Sequence, residues 1–118
     1  MEHKFVWLEL ASDDVAASKK FYTELFGWDM TEAGDSIMMK VGAMPEMGAN
    51  IKKNPGIGHI PSHWCLFVEV PDVKVATEKA GKLGAKVLYD VHELPGGHGY
   101  ASTLLDPTGA PLSLWQKK

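Results

Sequence analysis

The chain opens on a strand-like alternation of side chains, in FVWLEL at residues 5–10. Successive strand residues point to opposite faces, so Val6, Leu8 and Leu10 share one face while Trp7 and Glu9 share the other, together with Phe5. A carboxylate therefore stands beside two large aromatic side chains. This pattern predicts either an edge strand with Glu9 in water or a sheet face that lines a pocket.

A helical period follows in SDDVAASKKFYTELFGW. Apolar or small residues recur there at offsets of 3, 4 and 3, which is typical of an amphipathic helix; they are Val15, Ser18, Tyr22 and Leu25. Ser12 or Asp13 is predicted to cap the amino end of this helix, and Gly27 lies where a left-handed C-cap residue is expected.

The second half of the chain repeats this arrangement. Pro71 and Asp72 are predicted to open a helix that ends at Gly84, and its apolar stripe is Val73, Ala76, Ala80 and Leu83. Each stripe residue lies 58 positions after its counterpart in the first half, and the pair Asp14-Val15 recurs as Asp72-Val73. The spacing indicates an internal repeat.

Three strand-like segments separated by turn residues follow each helix. They are WDMTEA, SIMMKV and GANIKK in the first half and KVLYDVHE, YASTLL and PLSLWQ in the second. The sequence thus predicts an α+β fold made of two βαβββ modules in one domain over residues 1–118: module 1 at about 1–53, a Pro/Gly-rich connector at 54–63 and module 2 at about 64–118. A ferredoxin-like βαββαβ domain is the alternative, although it would leave two strand-like segments unexplained.

Composition narrows the class of partner. The 118 residues are 45% hydrophobic and 23% charged with a net charge of −3, and the basic residues are scattered, so neither nucleic acid nor an anionic membrane is an expected partner. No apolar run approaches the roughly 20 residues of a membrane span, and the opening MEHKFVW lacks the apolar core of a signal peptide. Cys65 is the one cysteine, so a disulfide within the chain is excluded. We expect a cytoplasmic protein with a small-molecule partner.

The motifs ELASDDVAASKKFYTELFGW and LLDPTGAPLSLW resemble those of the vicinal oxygen chelate superfamily, which includes glyoxalase I, bleomycin-resistance proteins and extradiol dioxygenases. The resemblance spans nearly the whole chain, and W-x-E-L with L-F-G-W is similar to its glyoxalase-like branch of unassigned activity. It implies that each module curls into a half-barrel whose concave face forms a ligand cavity. Trp7 and Glu9 would then face that cavity.

The resemblance also locates the positions at which metal-bearing members hold a divalent ion. Counting from the matched motifs places these positions at Trp7, Cys65 and Ser113, and the fourth region offers only the amide of Asn50. Trp is no metal ligand, Ser is a weak one, and a single thiolate does not hold a divalent ion alone. The sequence therefore predicts no metal ligands and no cofactor.

Without a metal, the predicted cavity lining is aromatic and sulfur-rich. The ligand-binding candidates are Trp7, Glu9, Cys65, Phe67, His98, Ser113 and Trp115. Such a lining suits a planar or partly apolar ligand, and the thioethers of Met38, Met39, Met44 and Met47 could form an adaptable wall. Glu9 is also a candidate general base or an anchor for a cationic group, because an ionised carboxylate in an apolar cleft requires a partner.

Three function classes follow. The leading hypothesis is a metal-free small-molecule-binding protein of the glyoxalase/bleomycin-resistance type. The alternatives are a lyase or isomerase of glyoxalase type, using Glu9 as base or a metal site not located by counting, and a dimeric interaction protein whose cavity is filled by its own side chains. A homodimer is the expected assembly, since the resemblance implies paired modules with exposed sheet edges.

Overall fold

The computed structural model describes residues 3–42 and 48–118. Within them the order is β1 (Phe5–Ser12), α1 (Val15–Phe26), β2 (Asp29–Ala33), β3 (Ser36–Lys40), β4 (Gly48–Lys53), β5 (His63–Glu69), α2 (Val73–Lys82), β6 (Lys86–Glu93), β7 (Tyr100–Leu105) and β8 (Pro111–Gln116). This order confirms the two βαβββ modules. The ferredoxin-like alternative is wrong, because eight strands are present. Neither helix is long and apolar enough to cross a membrane within the described part of the chain.

The chain divides into two compact units, which we describe separately. The first unit is residues 7–65, and its sheet has the order β2-β3-β4-β1, with β1 and β4 parallel and the other pairs antiparallel. The second unit is residues 66–118 with the amino-terminal residues through Val6, and its order is β5-β8-β7-β6. Its β5–β8 pair is again parallel, so the two units share one topology.

One face of the first sheet is covered by α1. The buried residues on this face come from β1, β3 and β4, and they are Leu10, Ile37, Met39, Ala49 and Ile51. Val15 and Tyr22 of α1 pack against them, as the helical stripe predicts. Leu25, the last residue of that stripe, is 57% exposed, so its predicted burial is wrong. The opposite face of the sheet, which the unit's own helix α1 does not cover, carries Trp7, Glu9 and Asn50, and we call the corresponding face of each unit its helix-free face.

The second unit repeats this division of faces. Its buried apolar cluster is Val70, Val73, Leu104 and Leu114, with Ala76 and Ala80 of α2 packed against it. Thr77 and Ser102 share a hydroxyl hydrogen bond of 2.8 Å in the same interior. Leu83 follows the last turn of α2 and is 70% exposed, so the end of the predicted stripe is wrong here too.

Aspartates cap both helices at positions 58 residues apart. The Asp14 carboxylate accepts from the Ala17 N–H at 3.0 Å, and the Asp72 carboxylate accepts from the Val75 N–H at 3.1 Å. The cap of α2 confirms the sequence prediction, but Asp14 rather than Ser12 or Asp13 caps α1. Ser12 is the last residue of β1 and its hydroxyl accepts from the Asp14 N–H, while the Asp13 carboxylate accepts from Asn54.

Gly81 is a glycine inside α2 whose backbone requires no glycine. A β-carbon at this position would meet nothing within 4 Å, and its φ is not positive. We expect Gly81→Ala to raise the free energy of unfolding by about 0.7 kcal/mol, because alanine loses less backbone entropy in a helix. Urea denaturation of the two proteins measures the difference, and an unchanged or lower midpoint would contradict it.

The turn between β7 and β8 is organised by Asp106. Its Oδ1 accepts from the hydroxyl and N–H of Thr108 and from the N–H of Ala110, at 2.6, 2.8 and 3.0 Å. These hydrogen bonds lower the pKa of the Asp106 carboxyl below its ordinary value, and the bond from the Thr108 hydroxyl has the largest effect.

A lowered native pKa has a defined effect on acid stability. The stabilisation from Asp106 is complete above the unfolded-state pKa of about 3.9 and is lost as the pH falls through the lower native value. We therefore expect Asp106→Asn to be less stable than the parent at pH 7, with the gap closing below about pH 4. Thermal melts from pH 7 to pH 2 measure this gap. A gap that is constant with pH would show that the charge of Asp106 contributes nothing.

Candidate ligand-binding face

The helix-free face of the first unit holds Trp7 in a fixed position. The indole Nε1–H donates to Asn50 Oδ1 at 2.8 Å, across the parallel β1–β4 pair. The benzo part of the indole fills the space over Gly48, where a β-carbon would lie 2.1 Å from Cζ3. Trp7 is half-buried. Its orientation is therefore set by a hydrogen bond at one end and by the absence of a side chain beneath the other.

Asn50 is the centre of this network and is only 6% exposed. Its Nδ2 donates to Ser36 Oγ at 2.8 Å and to Glu9 Oε2 at 3.2 Å. An indole nitrogen only donates, so the amide oxygen of Asn50 has to face Trp7 and the amide nitrogen has to face Glu9. The amide thus joins an aromatic side chain and a carboxylate into one polar cluster.

Glu9 is half-buried, and one of its two oxygens is hydrogen bonded within the described part of the chain. Oε2 accepts from Asn50, whereas Oε1 has no protein partner among the described residues. No buried side-chain nitrogen or oxygen in the described part of the chain lacks a hydrogen-bond partner. One carboxylate oxygen on the face that carries the Trp7 indole thus accepts no hydrogen bond from the described residues.

The helix-free face of the second unit carries three of the predicted residues. Phe67 lies beside Ser113 in the parallel β5–β8 register, and Trp115 follows two residues later on the same face. The hydroxyls of Ser113 and Thr103 share a hydrogen bond of 2.7 Å across β8 and β7. Phe67 and Ser113 are buried, at 8% and 1% exposure, while Trp115 is half-buried. Trp115 therefore offers more accessible aromatic surface here than Phe67.

His98 and Trp115 are brought together through the backbone. The Trp115 Nε1–H donates to the His98 carbonyl at 2.7 Å. A β-carbon on Gly99 would lie 3.1 Å from Trp115 Nε1 and 2.3 Å from the Gln116 carbonyl, so glycine is required for the approach. The His98 ring itself is on an exposed turn, where its role in ligand contact stays a prediction.

Cys65 and the methionines occupy different environments. Cys65 is buried in β5, with 4% exposure, and belongs to neither apolar cluster. Met39 lies in the core beneath α1, so its prediction as a cavity wall is wrong: β3 alternation turns it toward the helix. Met38 lies on the helix-free face and is 37% exposed. Met44 and Met47 fall outside the described residues.

Sequence reasoning missed the hydrogen-bonding role of Asn50, Ser36 and Thr103. The sequence identifies Asn50 only as an amide near the fourth metal position, whereas in the structure it pairs with Glu9 in the β1–β4 register. The signal that could have found it is the parallel pairing of the first and last strands of a module, which aligns GANIKK with WLELAS. Ser36 and Thr103 carry no signal of their own, since isolated hydroxyl residues are common in strands.

The residues at the positions that the family resemblance assigns to metal ligands do not fit a divalent ion. Trp7 presents an N–H donor that is already used by Asn50, and this same bond occupies the Asn50 amide oxygen. The Ser113 hydroxyl is hydrogen bonded to Thr103. No group of three or more His, Cys, Asp or Glu side chains that could hold a metal occurs within residues 3–42 and 48–118. The polar atoms of Trp7, Asn50 and Ser113 therefore take part in hydrogen bonds within the protein and do not form a set of metal ligands.

Two kinds of relative are similar to this chain in sequence. "Putative glyoxylase CFP32" of Mycobacterium tuberculosis is 32% identical over 116 residues, covering 93% of this chain and 44% of that protein. The anthracycline biosynthesis protein DnrV of Streptomyces peucetius is 27% identical over 127 residues, covering 94% of this chain and 46% of that protein. The chain therefore spans less than half the length of the curated relatives it matches.

Structure and sequence comparisons agree on the fold. The Mn(II)-bound glyoxalase of Novosphingobium aromaticivorans superposes with a TM-score of 0.66 at 15% identity, over 97% of this chain and 38% of that chain. At that identity the likeness shows the fold alone. The sequence profile of the Glyoxalase/Bleomycin resistance protein/Dioxygenase superfamily matches residues 4–114. The chain therefore belongs to the Glyoxalase/Bleomycin resistance protein/Dioxygenase superfamily.

Proposed function

We propose that this protein binds a planar, partly apolar small molecule on the helix-free face around Trp7, and that it does so without a metal ion. The observation that carries the proposal is the locked indole of Trp7, at a position where metal-bearing relatives place an ion ligand. The ring is held by Asn50 and seated over Gly48, and it is half-buried. A rigid aromatic surface binds a flat ligand at low entropic cost.

Trp7 is suited to stacking because no other ring competes for it. Among the described residues the close ring pairs involve Phe21, Tyr22, Phe26, Trp28 and Trp64 and, separately, Tyr89 with His92. Trp7 belongs to none of these pairs. A flat ligand could therefore contact the accessible surface of the indole without displacing an aromatic neighbour.

The name of one relative supports the same ligand class. DnrV is named as an anthracycline biosynthesis protein, and anthracyclines are flat, fused-ring molecules. We extend this only to the class of ligand, a fused-ring aromatic compound. We also expect the protein to act as a homodimer, as the family resemblance implies, and to lie in the cytoplasm, because a single cysteine is typical of a reducing compartment.

Binding of 2-(1-naphthyl)ethanol tests the proposal. Isothermal titration with EDTA-treated protein should give saturable binding, and Trp7→Leu should weaken it about tenfold because the stacking surface is lost. Trp64→Leu is the matched control, since Trp64 is a 36%-exposed tryptophan on β5, and it should change the affinity less than about twofold.

Metal dependence separates the proposal from a metal-dependent lyase or isomerase. Adding Mn²⁺, Ni²⁺ or Zn²⁺ at about 100 μM should leave the melting temperature of EDTA-treated protein unchanged, because no specific site binds the ion. A rise of several degrees that Asn50→Leu or Cys65→Ala abolishes would contradict the proposal and favour the enzyme.

A further inference from the structure

The open oxygen of Glu9 gives the helix-free face a charge preference. Oε2 is held by the Asn50 amide, whereas Oε1 has no protein partner among the described residues. No ion pair within 4.0 Å joins Glu9 to a basic group in the described part of the chain, and Lys52, two residues beyond Asn50 on β4, makes none. The negative charge of Glu9 is therefore not compensated by any basic group within residues 3–42 and 48–118.

The neighbouring groups fix Glu9 as an acceptor. The Asn50 amide nitrogen has to face it, because the Trp7 N–H holds the amide oxygen on the other side. The other polar groups that the described residues bring to this cluster are the Trp7 N–H and the Ser36 hydroxyl, and both are hydrogen bonded to Asn50. A ligand group beside Trp7 could therefore donate to a carboxylate oxygen that receives no hydrogen bond from the described residues.

The composition of the chain opposes an anionic ligand. All twelve basic residues are lysine, so the bidentate guanidinium that commonly recognises carboxylate or phosphate is absent from this sequence. The net charge of −3 repels anions at long range. Both features favour a neutral or positively charged ligand over a negative one.

We infer that the ligand is a flat aromatic compound carrying a protonated amine or amidine, whose N–H donates to Glu9 Oε1 while its ring contacts Trp7. This inference rests on the proposed function and adds the charge of the ligand. A half-buried carboxylate is screened less by water than an exposed one, so a hydrogen-bonded cation gains more there than at the surface. Glu9 is a specificity-determining residue in this arrangement.

Three compounds that share a naphthyl ring separate the effect of ligand charge on affinity from the effect of the ring. They are 2-(1-naphthyl)ethylamine, which is a cation at pH 7, 2-(1-naphthyl)ethanol, which is neutral, and 3-(1-naphthyl)propanoate, which is an anion. Isothermal titration at 50 mM salt should rank them cation, alcohol, anion, with the amine at least about tenfold tighter than the alcohol. Raising the salt concentration should reduce that ratio.

The Glu9→Gln variant tests whether Glu9 is the group that distinguishes a positively charged ligand from a neutral one. This variant keeps the side-chain shape and an acceptor for Asn50 but removes the negative charge, so the amine-to-alcohol ratio should fall to within about twofold while the affinity for the alcohol is retained. Glu24→Gln is the control, because Glu24 is an exposed α1 residue with the same charge change, and it should preserve the ratio.

The outcomes separate the inference from the proposed function. Equal affinity for the amine and the alcohol, tightest binding of the anion, or a ratio unchanged in Glu9→Gln would overturn the inference and leave metal-free binding intact. Failure of all three compounds to bind at millimolar concentration would overturn both. Loss of the ratio in Glu9→Gln alone, with an unchanged melting temperature, is the expected result.

Discussion

Replacing Asn50 with leucine is expected to lower the free energy of unfolding by about 3 kcal/mol. Leucine is close to asparagine in shape, so the loss comes from hydrogen bonding. The Trp7 N–H, Ser36 and the Glu9 carboxylate would each lose their bond to a side chain that is only 6% exposed. Urea denaturation monitored by circular dichroism measures the change, and a loss below about 1 kcal/mol would mean that water replaces the network.

A double-mutant cycle shows how much of that loss belongs to the Trp7 bond. Trp7→Phe removes the N–H donor and keeps an aromatic ring, so Asn50→Leu should cost less in its presence than alone. We expect a coupling energy of about 1 kcal/mol between the two positions. Strict additivity would mean that the 2.8 Å bond contributes nothing to stability.

Gly48→Ala is expected to lower the free energy of unfolding by about 2 kcal/mol, although alanine is normally the better strand residue. The added β-carbon would lie 2.1, 2.7 and 2.8 Å from three atoms of the Trp7 ring, which forces the indole to move. Movement would also break its hydrogen bond to Asn50. The affinity for 2-(1-naphthyl)ethanol should fall together with stability, as measured by isothermal titration.

Two variants separate the clash from a general effect of replacing glycine. Gly81→Ala introduces the same methyl group where nothing lies within 4 Å, and it is expected to stabilise. Trp7→Leu removes the obstructing ring, so adding Gly48→Ala to this variant should cost little. If Gly48→Ala destabilised both backgrounds equally, the cause would be the β4 backbone and not the indole.

The two modules could be predicted from the sequence because their signals are local and occur twice. The offset of 58 residues joins two aspartate caps and two helical stripes, and each copy supports the interpretation of the other. Strand alternation correctly separated Leu8 and Leu10, which face the helix side, from Trp7 and Glu9. A period of two residues determines the face of a side chain once the strand is identified.

The sequence predictions are wrong at helix ends, where residues outside the local segment determine which side chains are buried and which residue caps the helix. Leu25 and Leu83 continue a helical stripe in sequence, but they sit at or beyond the last turn of a short helix and are exposed. The predicted cap of α1 is wrong by one or two residues because β1 extends through Ser12. The Ser12 hydroxyl instead accepts a hydrogen bond from the Asp14 N–H. Helix ends are where local patterns are least informative.

The candidate site could be predicted only as a set of residues on strand faces. Its organisation depends on Asn50, which is 43 residues from Trp7 and 41 from Glu9 in the chain. Hydrogen bonds between such distant residues require the strand register, which no single segment specifies. Counting from family motifs located Trp7 and Asn50 individually but gave no indication that they bond to each other.

The indole N–H signal of Trp7 in a ¹H–¹⁵N correlation spectrum tests metal-free binding most directly. The four tryptophans give four such signals, and Trp7→Phe assigns the one of interest. Titrating EDTA-treated protein with 2-(1-naphthyl)ethylamine should shift the Trp7 signal saturably while those of Trp28 and Trp64 stay in place. An unmoved Trp7 signal at saturation, or a shift that appears only after a divalent ion is added, would contradict ligand binding at this face without metal.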